Sequence, residues 1–254
     1  MDHLNIDQLK QVPWNSRFIS GPEVPPEPLP QKIPEMIKVP FMKRDRQFSL
    51  FYTWLEIVRL VGDNTPLKIL DAACGRGQIV QILKFYGHDV TGADIADCFC
   101  ADKNIPFVQT DLDETFPFPD NSFDVVINST ALHYLKSNEH FFSESKRVLK
   151  PNGKIIFSIS NISNLGGRYY FFRKGKITEY SSSILTRKNF LYPDYIFELI
   201  KSLGFIVENI SGNVPIYNFK IKLFDLIFGK FLFKTKDPII KYSNALIISV
   251  VLNK

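Results

Sequence analysis

The chain has 254 residues, a hydrophobic fraction of 45% and a formal net charge of +5. These values predict either one large α/β domain or a domain with additional segments. The scattered basic residues do not favour nucleic-acid binding, but they are compatible with an anionic substrate or a membrane surface. The three cysteines, Cys74, Cys98 and Cys100, suit neither a disulfide framework nor a four-ligand zinc site. They predict reduced thiols, a cytoplasmic location and no bound metal. We expect no signal peptide and no transmembrane helix.

The N-terminal part of the chain differs in composition from the rest. Seven prolines fall between positions 22 and 40, which predicts an extended arm over residues 1–43. This arm is either a flexible leader or a segment that covers the entrance to the substrate site. Helical spacing of apolar residues then predicts a helix over 44–62, where the single folded domain of residues 44–254 begins.

One stretch organises that domain. An apolar run at 67–70 leads into Asp71, followed by a turn with Gly75 and Gly77 and by apolar residues at helical spacing. The pattern predicts a strand over 67–71, a tight turn and a helix over 77–86. Glycines in such a turn let a ligand approach the backbone, and the free N–H groups of the helix point to the same place.

Later segments repeat this arrangement. Predicted strands over 89–93, 106–109 and 123–128 lead into Asp94, Asp111 and Asn128, respectively. A short helix or turn over 96–103, a helix over 138–149 and a strand over 153–159 complete the alternating unit. This alternation predicts a doubly wound, mostly parallel sheet, whose ligand site lies where the strands end.

The second half carries two segments that interrupt the pattern. The alternation lapses over 161–190, where we expect either a substrate lid or a solvated insertion. A helix over 193–203 and two strands, one in the sequence FIVENIS and one at the C-terminus, follow. Between these strands the aromatic segment 216–233, within an insertion of about 214–236, has three open interpretations: packing on the core, a wall of an apolar pocket, or an interfacial membrane helix.

Four motifs, ILDAACGRGQIV, VTGADI, VQTDLDETFPFPDNSFDVVI and SESKRVLKPNGKIIFSISN, occur in this order and resemble those of class I S-adenosylmethionine-dependent methyltransferases. The resemblance implies a seven-stranded Rossmann-like sheet with an antiparallel last strand and helices on both faces. It also implies S-adenosylmethionine as cofactor. The implied cofactor residues are Asp71, Ala73, Gly75 and Gly77 at the methionine part, Asp94 at the ribose, Asp111 and Leu112 at the adenine, and also Ile95 and Asn128.

The same resemblance implies methyl transfer to a small-molecule or glycan-like acceptor, most simply at oxygen. An oxygen nucleophile must lose a proton, and His133, just beyond the fourth strand, is our candidate general base. A structural or cofactor-adjacent role for His133 is the alternative. Two other functions stay open: a non-catalytic partner-binding protein of the same fold, and a nicotinamide-dependent oxidoreductase. Val80 occupies the position of the third glycine that such an oxidoreductase uses. The sequence leaves the oligomeric state open.

Overall fold

The fold is described from a computed structural model. It describes residues 46–62, 65–99, 101–175, 189, 191–213, 223, 226–227, 239–240 and 243–252, with only the backbone for 46–52. The predicted arm of residues 1–43 lies outside the described residues, as do most of the segments 176–190 and 216–233. Predictions for these segments therefore stay predictions.

The described elements follow the predicted alternation of strands and helices. In chain order they are α1 (Arg46–Val61), β1 (Lys68–Ala72), α2 (Gln78–Phe85), β2 (Asp89–Asp94), β3 (Phe107–Gln109), β4 (Phe123–Ser129), a 3₁₀ turn (Leu132–Tyr134), α3 (Asn138–Val148), β5 (Leu149–Ser160), α4 (Leu165–Lys174), α5 (Pro193–Ser202), β6 (Phe205–Gly212) and β7 (Ala245–Leu252).

The seven strands form one sheet in the order β3-β2-β1-β4-β5-β7-β6. The pairs from β3 through β5 are parallel, whereas β7 lies antiparallel between β5 and β6. The predicted fold class, including the antiparallel last strand, is confirmed. Because β1, β2, β3 and β4 are parallel, their carboxyl ends lie at one edge of the sheet, and we call this the carboxyl edge.

The core has two halves, one on each face of the sheet. Ile69 and Val125 face a cluster with α1 and α2, while their neighbours Leu70 and Val126 face a cluster with α3 and α5. Alternate side chains of a strand point to opposite faces, so strands buried on both sides read as continuous apolar runs. The prediction of helices on both faces is confirmed. No helix in the described part of the chain is long and apolar enough to cross a membrane.

Two of the less regular segments are now defined. The segment 161–190, where the predicted alternation lapses, contains a helix, α4, and the described residues of 96–103 form bends and turns, one of the two forms predicted for them. β5 also begins at Leu149, before the predicted start at 153, because the Pro151-Asn152-Gly153 turn lies within the strand. Asn152 has a φ of 65°, and the pairing with β4 shifts between Phe123 and Val125, which indicates a bulge.

Candidate functional site

The β1–α2 turn has an unusual backbone. Ala73, Gly75 and Gly77 all have positive φ values, of 72°, 55° and 86°. The N–H groups of Ala73 and Cys74 both donate to the carbonyl of Ala93, at 2.8 and 3.0 Å. This anchor to β2 stabilises Ala73 in the left-handed region, where a non-glycine residue costs roughly 1–2 kcal/mol. The turn is therefore fixed against the end of β2.

The two glycines of the turn are required for different reasons. A Cβ at Gly77 would lie 2.5 Å from Cε2 of Phe99, whose ring stacks on Phe107 with 4.9 Å between centroids. A Cβ at Gly92 would also lie 3.0 Å from that Phe99 ring. Around Gly75, by contrast, a Cβ would meet nothing within 4 Å. Gly77 is thus needed for packing, whereas the space at Gly75 is open to a ligand.

Asp71 is the most unusual titratable residue of the edge. Its side chain is 1% exposed, and neither carboxylate oxygen has a hydrogen-bond partner among the described residues. Burial, with a smaller contribution from the Asp94 carboxylate, raises the pKa of Asp71 to about 8. A buried carboxylate without a partner is costly, so this position favours a cationic ligand group.

Asp94 connects the ends of β1 and β2. Its Oδ2 accepts a hydrogen bond from the Gly75 N–H at 2.8 Å, and its Oδ1 accepts one from the Ala96 N–H at 3.1 Å. The next residue, Ile95, is 61% exposed, and its carbonyl accepts a hydrogen bond from the Gln109 side chain at 3.0 Å. An exposed isoleucine beside a carboxylate offers an apolar surface at the same edge.

Asp111 and Leu112 follow β3. The carboxylate of Asp111 accepts a hydrogen bond from the Asp113 N–H at 2.9 Å, and Leu112 is 4% exposed within the core. The Thr110 N–H donates to the carbonyl of Asp94 at 2.9 Å, which joins this segment to the end of β2. The predicted adenine residues therefore lie next to the predicted ribose residue.

Asn128 is fully buried, and its amide is used within the protein. The Nδ2 group donates to the Ala72 carbonyl at 3.0 Å, and Oδ1 accepts from the Ala131 N–H at 3.2 Å. The side chain thereby fixes the end of β1 to the turn after β4. The neighbouring Ser129 hydroxyl is buried and has no partner among the described residues.

His133 lies in the 3₁₀ turn after β4 and is 6% exposed. Its ring centroid is 4.1 Å from that of Tyr134, and its carbonyl accepts a hydrogen bond from the Asn189 N–H. The Asn189 side chain donates in addition to the Leu135 carbonyl at 2.6 Å. Asn189 thus anchors the backbone of the turn that carries His133, close in sequence to the end of β4.

The structure brings most of the predicted site residues together at this edge. Asp71 aligns with Gly92 of β2 and with Ile127 of β4, which brings the ends of these three strands side by side. Cys74 lies in the turn, but burial and the nearby Asp71 and Asp94 raise the pKa of its thiol, so it is not suited to act as a nucleophile. Among the residues with described side chains, no cluster of three potential metal ligands occurs.

Comparison with known proteins agrees with this geometry. Residues 70–157 match a family model described as a methyltransferase domain. Sterol 24-C-methyltransferase of Gibberella zeae is 39% identical over 111 residues, which cover 39% of this chain and 28% of that protein. Demethylmenaquinone methyltransferase of Thermotoga maritima is 28% identical over 197 residues, covering 67% of this chain and 84% of the relative.

The fold is also found among solved structures. An S-adenosylmethionine-dependent methyltransferase of Archaeoglobus fulgidus superposes with a TM-score of 0.57 at 18% identity, covering 80% of this chain and 94% of the other. At such low identity the agreement concerns the fold. The chain spans less than a third of the length of the fungal sterol relative.

Proposed function

We propose that the chain, whose residues 70–157 match a methyltransferase domain, is a class I S-adenosylmethionine-dependent methyltransferase, and that it methylates a hydroxyl oxygen of a small-molecule or glycan-like acceptor. S-adenosylmethionine, the cofactor of this class, supplies a methyl carbon activated by a sulfonium leaving group. The observation that carries the proposal is the buried carboxylate of Asp71, which has no hydrogen-bond partner in the described part of the chain and lies in the same turn as the open space at Gly75.

The residues of the carboxyl edge fit this cofactor chemically. Its methionine part bears an ammonium and a sulfonium cation, which suit the buried carboxylate of Asp71. Its ribose hydroxyls suit the acceptor oxygens of Asp94, and its adenine suits the exposed apolar side chain of Ile95. We propose that Asp111 and Leu112 complete the adenine end. Asn128 would act through the backbone, as a positioning residue that holds Ala72 in place.

The acceptor must lose a proton if its nucleophile is a hydroxyl. His133 is the proposed base, because imidazole is the side chain best matched to proton transfer near neutral pH. The rigid 3₁₀ turn, fixed through Asn189, would keep the ring in one place. The relatives are named for a sterol and for demethylmenaquinone, and these names support a small organic acceptor more directly than a glycan.

A labelled-methyl assay tests the proposal. The purified chain is incubated with S-adenosylmethionine carrying a labelled methyl group and a panel of hydroxylated aromatics, alcohols and sugars. We expect label in a product of one class, with the methyl group on oxygen by NMR. Label on carbon would contradict the O-methyl assignment but keep the transferase, and no transfer to any panel member, despite cofactor binding, would oppose a small hydroxylated acceptor.

The role of His133 has its own test. His133→Asn is expected to lower kcat by about 10²–10⁴-fold and to flatten the pH profile, while KM and cofactor affinity stay nearly unchanged. A structural role predicts a different outcome: a lowered melting temperature with an unchanged pH profile in the remaining activity. Tyr134→Phe, which keeps the neighbouring ring, is the matched control, and we expect it to leave the pH profile unchanged.

A further inference from the structure

Thr130, the residue that follows β4, has an unusual backbone conformation. Its φ is 57°, in the left-handed region, where a β-branched residue is strained. In the described part of the chain, three other non-glycine residues have positive φ values: Ala73, Asn121 and Asn152. Asparagine tolerates this region, so Ala73 and Thr130 are the strained residues. Both lie at the carboxyl edge, directly after β1 and β4.

Hydrogen bonds to side chains hold the backbone at Thr130. Its N–H group donates to Oγ of Ser158 at 2.9 Å, and the next N–H group, of Ala131, donates to Oδ1 of Asn128 at 3.2 Å. The Thr130 hydroxyl donates to the Ser129 carbonyl at 2.8 Å. Ser158 is fully buried in β5 and aligns with Ser129 of β4. The acceptor for the Thr130 N–H is therefore fixed within the sheet.

The conformation of Thr130 decides where the chain goes after β4. An extended residue at this position would continue the strand, because strands use the β region. In the left-handed conformation the chain turns instead, and the 3₁₀ turn begins two residues later at Leu132. The Leu132 side chain is fully buried, and the Tyr134 N–H donates to the Ala131 carbonyl at 2.8 Å. The position of His133 in this turn therefore depends on Thr130.

Threonine is not the residue that this conformation favours. Glycine would follow the same path without steric cost, but it would also allow other paths, because its backbone is freer. A threonine whose N–H is bonded to Ser158 restricts the turn to one path. Strained residues that their surroundings hold in place are typical of functional sites, and this one lies three residues before the candidate base, His133.

We propose that Thr130 and Ser158 are a positioning pair for His133, and this inference rests on the proposed function. Oγ of Ser158 keeps the Thr130 backbone in the left-handed region, and Thr130 in turn fixes the 3₁₀ turn that carries the imidazole. Both residues act through the backbone of the turn and not on the acceptor. Positioning of this kind matters for the rate, because a misplacement of about 1 Å lowers a rate by up to about 100-fold.

A double-mutant cycle tests the coupling between the two positions. Ser158→Ala removes the acceptor of the Thr130 N–H, and we expect kcat to fall by roughly 10- to 100-fold while KM stays nearly unchanged. Ser158→Cys, whose sulfur is a weak acceptor, should give an intermediate kcat. In the Thr130→Gly background, Ser158→Ala should lower kcat much less, because glycine keeps the left-handed conformation without help. This rescue distinguishes positioning from a general loss of stability.

Two variants serve as matched controls. Ser145→Ala removes another fully buried hydroxyl, in α3. Asn121→Gly replaces a residue with a similar φ, of 53°, before β4. Both should leave kcat unchanged. All rates are expressed per binding site for S-adenosylhomocysteine, counted by calorimetry, so that a loss of folded protein is not mistaken for a loss of kcat.

NMR of the His133 ring tests the positioning pair without relying on methyl transfer. The imidazole C–H signals are assigned by their loss in His133→Asn. We expect one set of signals in the wild type and shifted or doubled signals in Ser158→Ala. Adding Thr130→Gly to Ser158→Ala should return the signals towards one set, because the turn is then no longer strained.

The proposal is overturned if Ser158→Ala leaves the His133 signals as in the wild type. In an active chain it is also overturned if this variant keeps the wild-type kcat, or if it lowers kcat by the same factor in both backgrounds. A chain that binds S-adenosylhomocysteine but transfers no methyl group refutes the proposed function, and the ring signals alone then decide the positioning pair. A rate that depends on His133, with ring signals that do not respond to Ser158→Ala, refutes the positioning pair alone.

Discussion

At Asp71 the protein keeps an ionisable group in a place that does not suit its charge. The carboxylate lies inside the domain at 1% exposure, with no partner among the described residues, while Asp94 adds a second negative charge nearby. Such an arrangement opposes folding when the group is ionised, and a bound cation would relieve it. In our account this cost is the physical basis for cofactor recognition.

The raised pKa predicts a pH dependence of stability. The pKa of Asp71 is about 8 in the folded protein, against an ordinary value of 3.8, so between these pH values the folded state binds more protons than the unfolded state. Protonation of Asp71 therefore stabilises the folded state fully below about pH 4, and this stabilisation is lost as the pH rises through about 8. Urea unfolding of the ligand-free chain at several pH values should show this fall, and Asp71→Asn should reduce it. Identical pH profiles for both proteins would contradict the assignment.

Two glycines with similar backbone conformations allow the cost of backbone strain to be separated from the cost of a side-chain clash. Gly77 and Gly87 have nearly equal positive φ values, of 86° and 88°, but a Cβ at Gly77 would meet Phe99 at 2.5 Å while one at Gly87 would meet nothing within 4 Å. We expect Gly87→Ala to cost about 1–2 kcal/mol of unfolding free energy from the backbone alone. Gly77→Ala should cost more and weaken binding of S-adenosylhomocysteine, whereas equal costs in urea unfolding would show that Phe99 adapts freely.

Among the elements, the connection between β3 and β4 depends on one arginine of α3. The Arg147 guanidinium donates to the carbonyls of Phe116 and Phe118, both at 2.9 Å, and pairs with Asp120 and Glu144, both at 2.7 Å. It thereby fixes the loop that follows the predicted adenine residues. Several charged hydrogen bonds on one side chain make this a network rather than an isolated surface pair.

Removing this network should destabilise the domain measurably. We expect Arg147→Ala to lower the unfolding free energy by roughly 1.5–3 kcal/mol, since the loop carbonyls lose a charged donor. Arg59→Ala is the control. Arg59 has a similar exposure and pairs with a glutamate three residues earlier, Glu56, but among the described residues its guanidinium bonds only to that glutamate and to no loop. That change should cost less than about 1 kcal/mol. Comparable losses in chemical denaturation would argue against the loop network.

Helix α4 is an element that the local sequence pattern did not predict. Gly166 and Gly167 are both part of α4, although glycine weakens a helix interior. In the structure Gly167 lies in the first turn, where the Asn164 side chain caps its N–H and the Ile162 carbonyl occupies the space of the missing Cβ. Asn164 is in turn anchored on the Ser243 carbonyl, a contact between positions 79 residues apart. A pattern read along the chain does not reveal such a contact.

Across the described part of the molecule, the parallel strands of the sheet could be predicted from the sequence pattern, and the antiparallel last strand from the resemblance to methyltransferases. The apolar runs alternate with helical periodicity, and the polar residues Asp71, Asp94 and Asn128 fall where strands end, so their convergence follows from a parallel sheet. Their individual contacts could not be predicted. The amide of Asn128 bonds to the Ala72 carbonyl, and the Phe99 ring leaves no room for a Cβ at Gly77. Both contacts depend on tertiary packing.

The central claim is that the carboxyl edge binds S-adenosylmethionine. Calorimetric titration with the product S-adenosylhomocysteine tests it most directly, and NAD is titrated in parallel. Both titrations are repeated with the variant Asp94→Ala. Its matched control is Asp89→Ala, at the opposite end of β2. We predict one micromolar site for S-adenosylhomocysteine, no binding of NAD, and a loss of roughly tenfold or more in Asp94→Ala without loss of the fold. Binding of NAD, no binding of S-adenosylhomocysteine, or an unchanged affinity in Asp94→Ala would contradict the account.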